Sequence, residues 1–451
     1  MKRFDLLSVP ALRAILVSRR PQFIVQLAAV AGLSLVVVTG LLGTPVGSRN
    51  PATVLVWIAW WAALMIVAVP LFGRLWCSIC PLPLPGEWLQ RGAMLRSGGT
   101  GRGRSLRWPR RLRGMWVQTA AFILVAIFSL PVLTQPRLTA ILLVGLALLA
   151  IAISLVFERR AFCRFLCPVG GFIGLYSQAA PLELRVRDVR VCADHTIKTC
   201  YAGSAAGYGC PWMTFPAALK TNVSCGLCLE CLRTCPLDNI AINLRPMGSD
   251  LGSPQRVGLD EAFKSLLLVG SALVYVFVLQ GPSSNLRAAA ADVGSVDWLA
   301  YVTGFLLITL VVLPALLMLA TRAGRPVESS RPDRWSGFRA FAPALVPLGL
   351  GAWAAFSLGF VLTNGAYILP AISDPLGLGW NLLGASGAAR SSAGGSLGAW
   401  PLVAILLAGL AWTSRRVRAV AEDLGGGLRM AIPVWGFALL LTSGILWVFV
   451  A

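Results

Sequence analysis

The chain has a single histidine, His195, in 451 residues, and only 13% of its residues are charged, 18 of them acidic. Soluble globular domains carry charge on about a quarter of their residues, so this scarcity excludes that class and points to a multi-span membrane protein. One histidine excludes a bis-histidine b haem, and the absence of a C-x-x-C-H motif excludes a covalent c haem. No haem is therefore expected. No Gly-rich fingerprint follows a strand, so the chain itself is not expected to bind a dinucleotide or flavin. Acidic residues are missing from the interiors of the apolar runs, since Glu158, Asp297 and Asp374 fall at ends or in loops. Intramembrane carboxylates usually mark ion pathways, and this chain gives no sign of a pump.

What replaces the missing charge is a series of apolar runs, each near the roughly 20 residues needed to span hydrocarbon. They fall near residues 23–43, 53–72, 115–135, 138–157, 263–281, 298–320, 341–363, 398–413 and 430–450. The expected fold is an all-α polytopic membrane protein of about nine transmembrane helices with an inserted ferredoxin-like α+β domain. Of the 39 Lys and Arg residues, all but Arg49, Arg137, Arg287 and Arg390 lie in alternate connecting segments. The positive-inside rule then places the N-terminus and the insert in the cytoplasm and the C-terminus outside. The expected location is a bacterial-type inner (cytoplasmic) membrane.

The net charge of +21 is read in the same way. Basic stretches such as Arg102 to Arg113 are topology signals that attract anionic lipid headgroups, and no nucleic-acid partner is expected. Residues 1–22 form an interfacial segment, amphipathic from Leu6 to Val17. A four-helix membrane region over 23–157, a cytoplasmic domain over 158–261 and a five-helix membrane region over 262–451 complete the division. Small residues in a row, Gly349, Gly351, Ala355 and Gly359, permit close helix packing.

Nine of the 11 cysteines lie in 158–261, and residues 262–451 hold neither cysteine nor histidine. The clearest motif is Cys225-x2-Cys228-x2-Cys231-x3-Cys235-Pro236. This spacing wraps three thiolates around one iron–sulfur cube, while the fourth, followed by proline, serves a second cluster. Zinc normally needs separated C-x2-C knuckles or paired histidines, and disulfides are disfavoured in a cytoplasmic setting. With Cys210-Pro211 as the other crossing cysteine, cluster A takes Cys225, Cys228, Cys231 and Cys210. Cluster B takes Cys192, Cys200 and Cys235 and lacks one ligand. His195 follows Cys192 by three residues, where a second cysteine would stand, and a neutral imidazole can replace thiolate on iron. The alternative is a surface or hydrogen-bonded histidine beside a three-cysteine site.

The remaining four cysteines form two similar pairs at span ends, Gly73-Arg74-x2-Cys77-x2-Cys80-Pro81 and Arg159-Arg160-x2-Cys163-x3-Cys167-Pro168. Two hairpins that end alike amount to an internal repeat. Their thiols are candidates for a third metal centre, either a cluster or zinc, or for a dithiol redox site. Four buried structural cysteines are the alternative.

Over about residues 53–245 these motifs resemble those of the NapH/NosR-type membrane-bound polyferredoxins. The resemblance implies a membrane-bound electron-transfer protein with two [4Fe-4S] clusters, a component of an oxidoreductase system more than a complete enzyme. This chain departs from the pattern in the spacing of its first cysteine pair, in a stretched first ferredoxin motif and in the spans that follow. The expected donor is a cytoplasmic reductase or ferredoxin, and the expected acceptor a membrane subunit or quinone, because every candidate ligand lies on one side. A rival expectation is a metal-handling or assembly factor that uses the membrane-face thiols.

Overall fold

The structure, a computed structural model, describes residues 3–95, 101–252, 257–324, 334–384 and 398–450. A chain in hydrocarbon must satisfy its backbone hydrogen bonds internally, and the apolar runs accordingly fold as helices. Seven of these, among the described residues, are long and apolar enough to cross a membrane: Arg19–Leu42, Pro51–Phe72, Pro136–Val156, Leu259–Gln280, Val296–Ala323, Ser336–Ser373 and Gly427–Val450. The other two expected spans are helical but differ in form. The third divides into Trp116–Ile127 and Ser129–Thr134 at Phe128. Pro131 has no N–H to give the carbonyl of Ile127, which breaks the helix there. The eighth, Trp400–Asp423, is apolar as far as Thr413 and then runs on through Arg415, Arg416, Arg418 and Glu422.

The chain divides into two compact units. The first comprises Met1–Val38, Val67–Ala121 and Ala140–Asp250 and holds all eleven cysteines. Sequence reading separates 158–261 from the span ends before it, whereas this unit gathers the ends of both Cys-Pro hairpins and the N-terminal segment around the cysteine-rich stretch. Its sheet has three antiparallel strands, β1 (Phe4–Asp5), β2 (Leu182–Val186) and β3 (Ile240–Leu244), in the order β1-β3-β2. Leu184 pairs with Ile242, and Phe4 with Leu244.

Alternation along the strands sorts the two faces. Leu184, Ile240 and Ile242 join Leu7, Leu227, Leu229 and Leu232 in one buried cluster, with Cys200 and Cys231 among them. The fully buried Glu183 on the other face forms an ion pair with Arg245, which also pairs with Asp250 at 2.6 Å. The N-terminal segment thus supplies a strand and a core leucine. Its helix Pro10–Val17 sets Leu16 against that core and leaves Leu12, Ile15 and Val17 exposed.

The second unit comprises Thr39–Ile66, Phe122–Thr139 and Leu251–Ala451. Its helices Val346–Asn364 and Trp400–Asp423 cross at two glycines. A Cβ on Gly351 would come within 3.3 Å of the Gly409 Cα, and one on Gly409 within 3.4 Å of the Gly351 Cα. Backbones this close need small residues on both sides.

Candidate metal centres

Cys225 to Cys231 form a tight loop. Leu227 (φ 49°) and Leu229 (φ 65°) both take left-handed backbone conformations, which are rare for bulky residues and persist only where the surroundings over-determine them. At Gly226 a Cβ would lie 1.9 Å from Trp212 Nε1, so only glycine fits under the indole. The loop bounds a small cavity lined by Cys210, Cys225, Cys228 and Cys231 together with Leu184 and Trp212. These four cysteines are the set assigned to cluster A.

A second small cavity is lined by Cys192, His195, Cys200 and Cys235, with Phe215 and Ile240 as apolar walls. Cys192 sits on the helix Val189–Asp194, His195 caps it, and Cys200 lies on the short helix Thr199–Ala202. Lys198 Nζ donates to the carbonyls of both Cys192 and His195 and ties the two together. Asn239 donates twice to sulfur, from its backbone N–H to Cys235 at 3.3 Å and from Nδ2 to Cys192 at 3.2 Å.

Both cavities fit iron–sulfur clusters. His195 Nε2 and Trp212 Nε1 are buried without a protein hydrogen-bond partner, and each belongs to a residue lining one of the two cavities. Buried polar atoms in that condition need an explanation, and a group bound in each cavity supplies one. Among the described residues, no three or more His, Cys, Asp or Glu side chains are close enough together to hold a single metal ion. Donor sets made mostly of thiols in the ferredoxin spacing suit iron–sulfur clusters better than zinc. Burial first of all pushes the thiols of Cys225 and Cys200 up to about 11, and those of Cys228 and Cys231 rise as well. Binding a cationic core must therefore expel their protons.

The two Cys-Pro pairs also meet. Cys77 lies on Leu75–Ile79 and Cys163 on the π-helical turn Phe162–Leu166. Arg160 Nη1 donates to the Cys77 carbonyl at 2.6 Å, joining one motif to the other. Burial, then the charges of Cys167 and Cys77, push the Cys80 thiol up to about 12. Cys163 is raised by burial and then by Cys167, with Cys80 and Cys77 adding to the effect. All eleven cysteines are free thiols.

Several residues here carry no signal in spacing. Asn239 and Trp212 reach their sites from outside the cysteine motifs. Arg74, 4% exposed, lays its guanidinium 4.1 Å from the Trp212 ring. Glu230, inside the motif, accepts from Arg19 at 2.8 Å, Arg233 at 3.1 Å and the Tyr208 N–H at 3.2 Å.

A family model described as a 4Fe-4S binding domain matches residues 53–115 and 139–190. The match supports an iron–sulfur, ferredoxin-like affiliation. The matched segments contain Cys77, Cys80, Cys163 and Cys167, while Cys192 to Cys235 fall outside them. Comparison with curated proteins and with solved structures gives no match.

Proposed function

We propose that this chain is a membrane-anchored iron–sulfur electron-transfer protein with two [4Fe-4S] clusters in its cysteine-rich segment. One is held by Cys210, Cys225, Cys228 and Cys231, the other by Cys192, Cys200, Cys235 and His195. The observation that carries this reading is the pair of cavities, each lined by one of these four-ligand sets. When bound, each cluster stores and releases a single electron.

The protein's part is to bind, tune and insulate. Thiolates and the His195 imidazole hold iron, and imidazole in place of thiolate raises the potential. N–H donors from Asn239 stabilise sulfur in its more negative state. Leu184, Leu229 and Phe215 keep water from the cavity walls, which strengthens each of these electrostatic effects. Electrons pass from a cytoplasmic reductase or ferredoxin to a membrane subunit or quinone, because every candidate ligand lies on one side of the apolar segments. The basic segments then face the cytoplasm and the nine apolar segments cross the inner membrane.

Anaerobic purification of the full chain, with iron and sulfide analysis and EPR of the reduced protein, tests the reading. At least about eight irons per chain are expected, with two interacting paramagnetic centres. Cys228→Ser is expected to abolish one signal and His195→Ala to abolish or shift the other. Full iron content in the Cys228→Ser variant would overturn the assignment.

A further inference from the structure

The family match and the convergence of the span-end cysteines lie apart from the two clusters above. We propose that Cys77, Cys80, Cys163 and Cys167 ligate a third [4Fe-4S] cluster, with the guanidinium groups of Arg74 and Arg160 beside it and beside the thiols of cluster A. This goes beyond the two-cluster reading and is tested separately from it.

The backbone prepares the two span ends in the same way as a cluster ligand. Cys80 (φ −56°, ψ 125°) and Cys167 (φ −59°, ψ 118°) adopt nearly one conformation, close to that of Cys235 (φ −78°, ψ 112°). In each case the following proline removes the helical option and turns the chain outward. Cys167 Sγ accepts the Gly170 N–H at 3.2 Å, a bond that suits a thiolate. A Cβ on Gly170 would lie 2.8 Å from the Cys163 carbonyl oxygen and 3.5 Å from that sulfur, so the glycine lets the two cysteines approach.

Charge makes the same demand. Arg74 Nε and Nη2 are buried without partners, and among the described residues this side chain has no carboxylate beside it. Its charge acts on Cys167 in one set and on Cys225 in the other. Arg160, equally buried, bonds to the Cys77 carbonyl but is already paired with Glu87, so the unbalanced cation at this site is Arg74. A buried cation is stable only opposite negative charge. Four protonated thiols supply none, whereas a thiolate-ligated cluster carries net negative charge.

The test uses the full chain, purified anaerobically in detergent. Three clusters give about twelve irons and twelve sulfides per chain. In Cys167→Ser the iron is expected to fall to about eight, with the EPR signals of the other two clusters retained. About eight irons in the unmodified chain, or one zinc per chain lost in Cys167→Ser, would overturn the proposal. Mössbauer counting of [4Fe-4S] iron in the unmodified chain gives the same decision if the variant does not fold. A loss of iron in Cys228→Ser but not in Cys167→Ser would sink the third cluster and leave the two-cluster reading intact. The reverse pattern would do the opposite.

Discussion

Arg160 and Glu87 form a buried ion pair in which Nε and Nη2 of the guanidinium donate to one carboxylate oxygen, Oε2, at 2.8 and 2.5 Å. Both side chains are at most 4% exposed. The same guanidinium reaches the Cys77 carbonyl, so the pair holds Arg160 against the span-end thiols. Arg91 pairs with the other carboxylate oxygen.

Removing one partner of such a pair strands the other charge. Glu87→Gln is expected to destabilise the fold by about 3–5 kcal/mol and to lower retained iron, read by thermal unfolding and iron analysis in detergent. Burial pushes the Glu87 carboxyl up, but the charges of Arg160 and Arg91 overcome it and hold the group below its ordinary 4.5. A carboxylate depressed in this way adds stability above pH 4.5 that is lost as pH falls through its lower folded value. The wild type should therefore lose more stability than Glu87→Gln as pH is lowered from 5 toward 3. Equal acid sensitivity would show that another group governs the acid limb.

Asn239 tests tuning without removing a ligand. Asn239→Leu keeps the size of the side chain and deletes the donor to Cys192. One hydrogen bond of about 1 kcal/mol corresponds to a shift on the order of 40 mV for a one-electron centre. The potential of cluster B should fall by that amount in spectroelectrochemical titration, because the bond favours the reduced, more negative form. The potential of cluster A should stay in place.

Gly226→Ala forces a methyl group against the Trp212 indole. Overpacking of this kind costs about 1–3 kcal/mol, occasionally more, and here it deforms the loop that carries Cys225 and Cys228. Loss of about four irons per chain is expected. Gly304→Ala is the matched control, since nothing lies within 4 Å of a Cβ there, and it should keep its iron.

Much of the candidate site is readable in the sequence because iron–sulfur ligands recur at short, fixed spacings. The division of Cys192, Cys200, Cys210, Cys225, Cys228, Cys231, Cys235 and His195 into two sets coincides with the linings of the two cavities. What spacing cannot reveal is long-range. Asn239 meets Cys192 across 47 positions, and Arg74 meets Trp212 through folding alone. Two residues of β1 are too few to register as a strand until β3 stands beside them. An apolar run also conceals its own break, because hydropathy does not record that Pro131 leaves a carbonyl without its donor. Composition likewise counts arginines without telling which of them, such as Arg74 and Arg160, end buried.

The pairing of Phe4–Asp5 with Asn243–Leu244 imposes a parity on the chain. On the membrane-spanning reading proposed above, two strands of one sheet lie on one side of the bilayer, so the stretch between Asp5 and Asn243 would cross an even number of times. Arg19–Leu42, Pro51–Phe72 and Pro136–Val156 have the length and apolarity to cross within that stretch. With these three as crossings a fourth is required, and the broken pair Trp116–Ile127 and Ser129–Thr134 is the apolar helix that remains. The bond from Arg160 to the Cys77 carbonyl repeats the condition over a shorter interval, where Pro136–Val156 alone would leave its two ends on opposite faces. On that membrane-spanning reading, these two contacts call for a crossing by a segment whose own helix is interrupted.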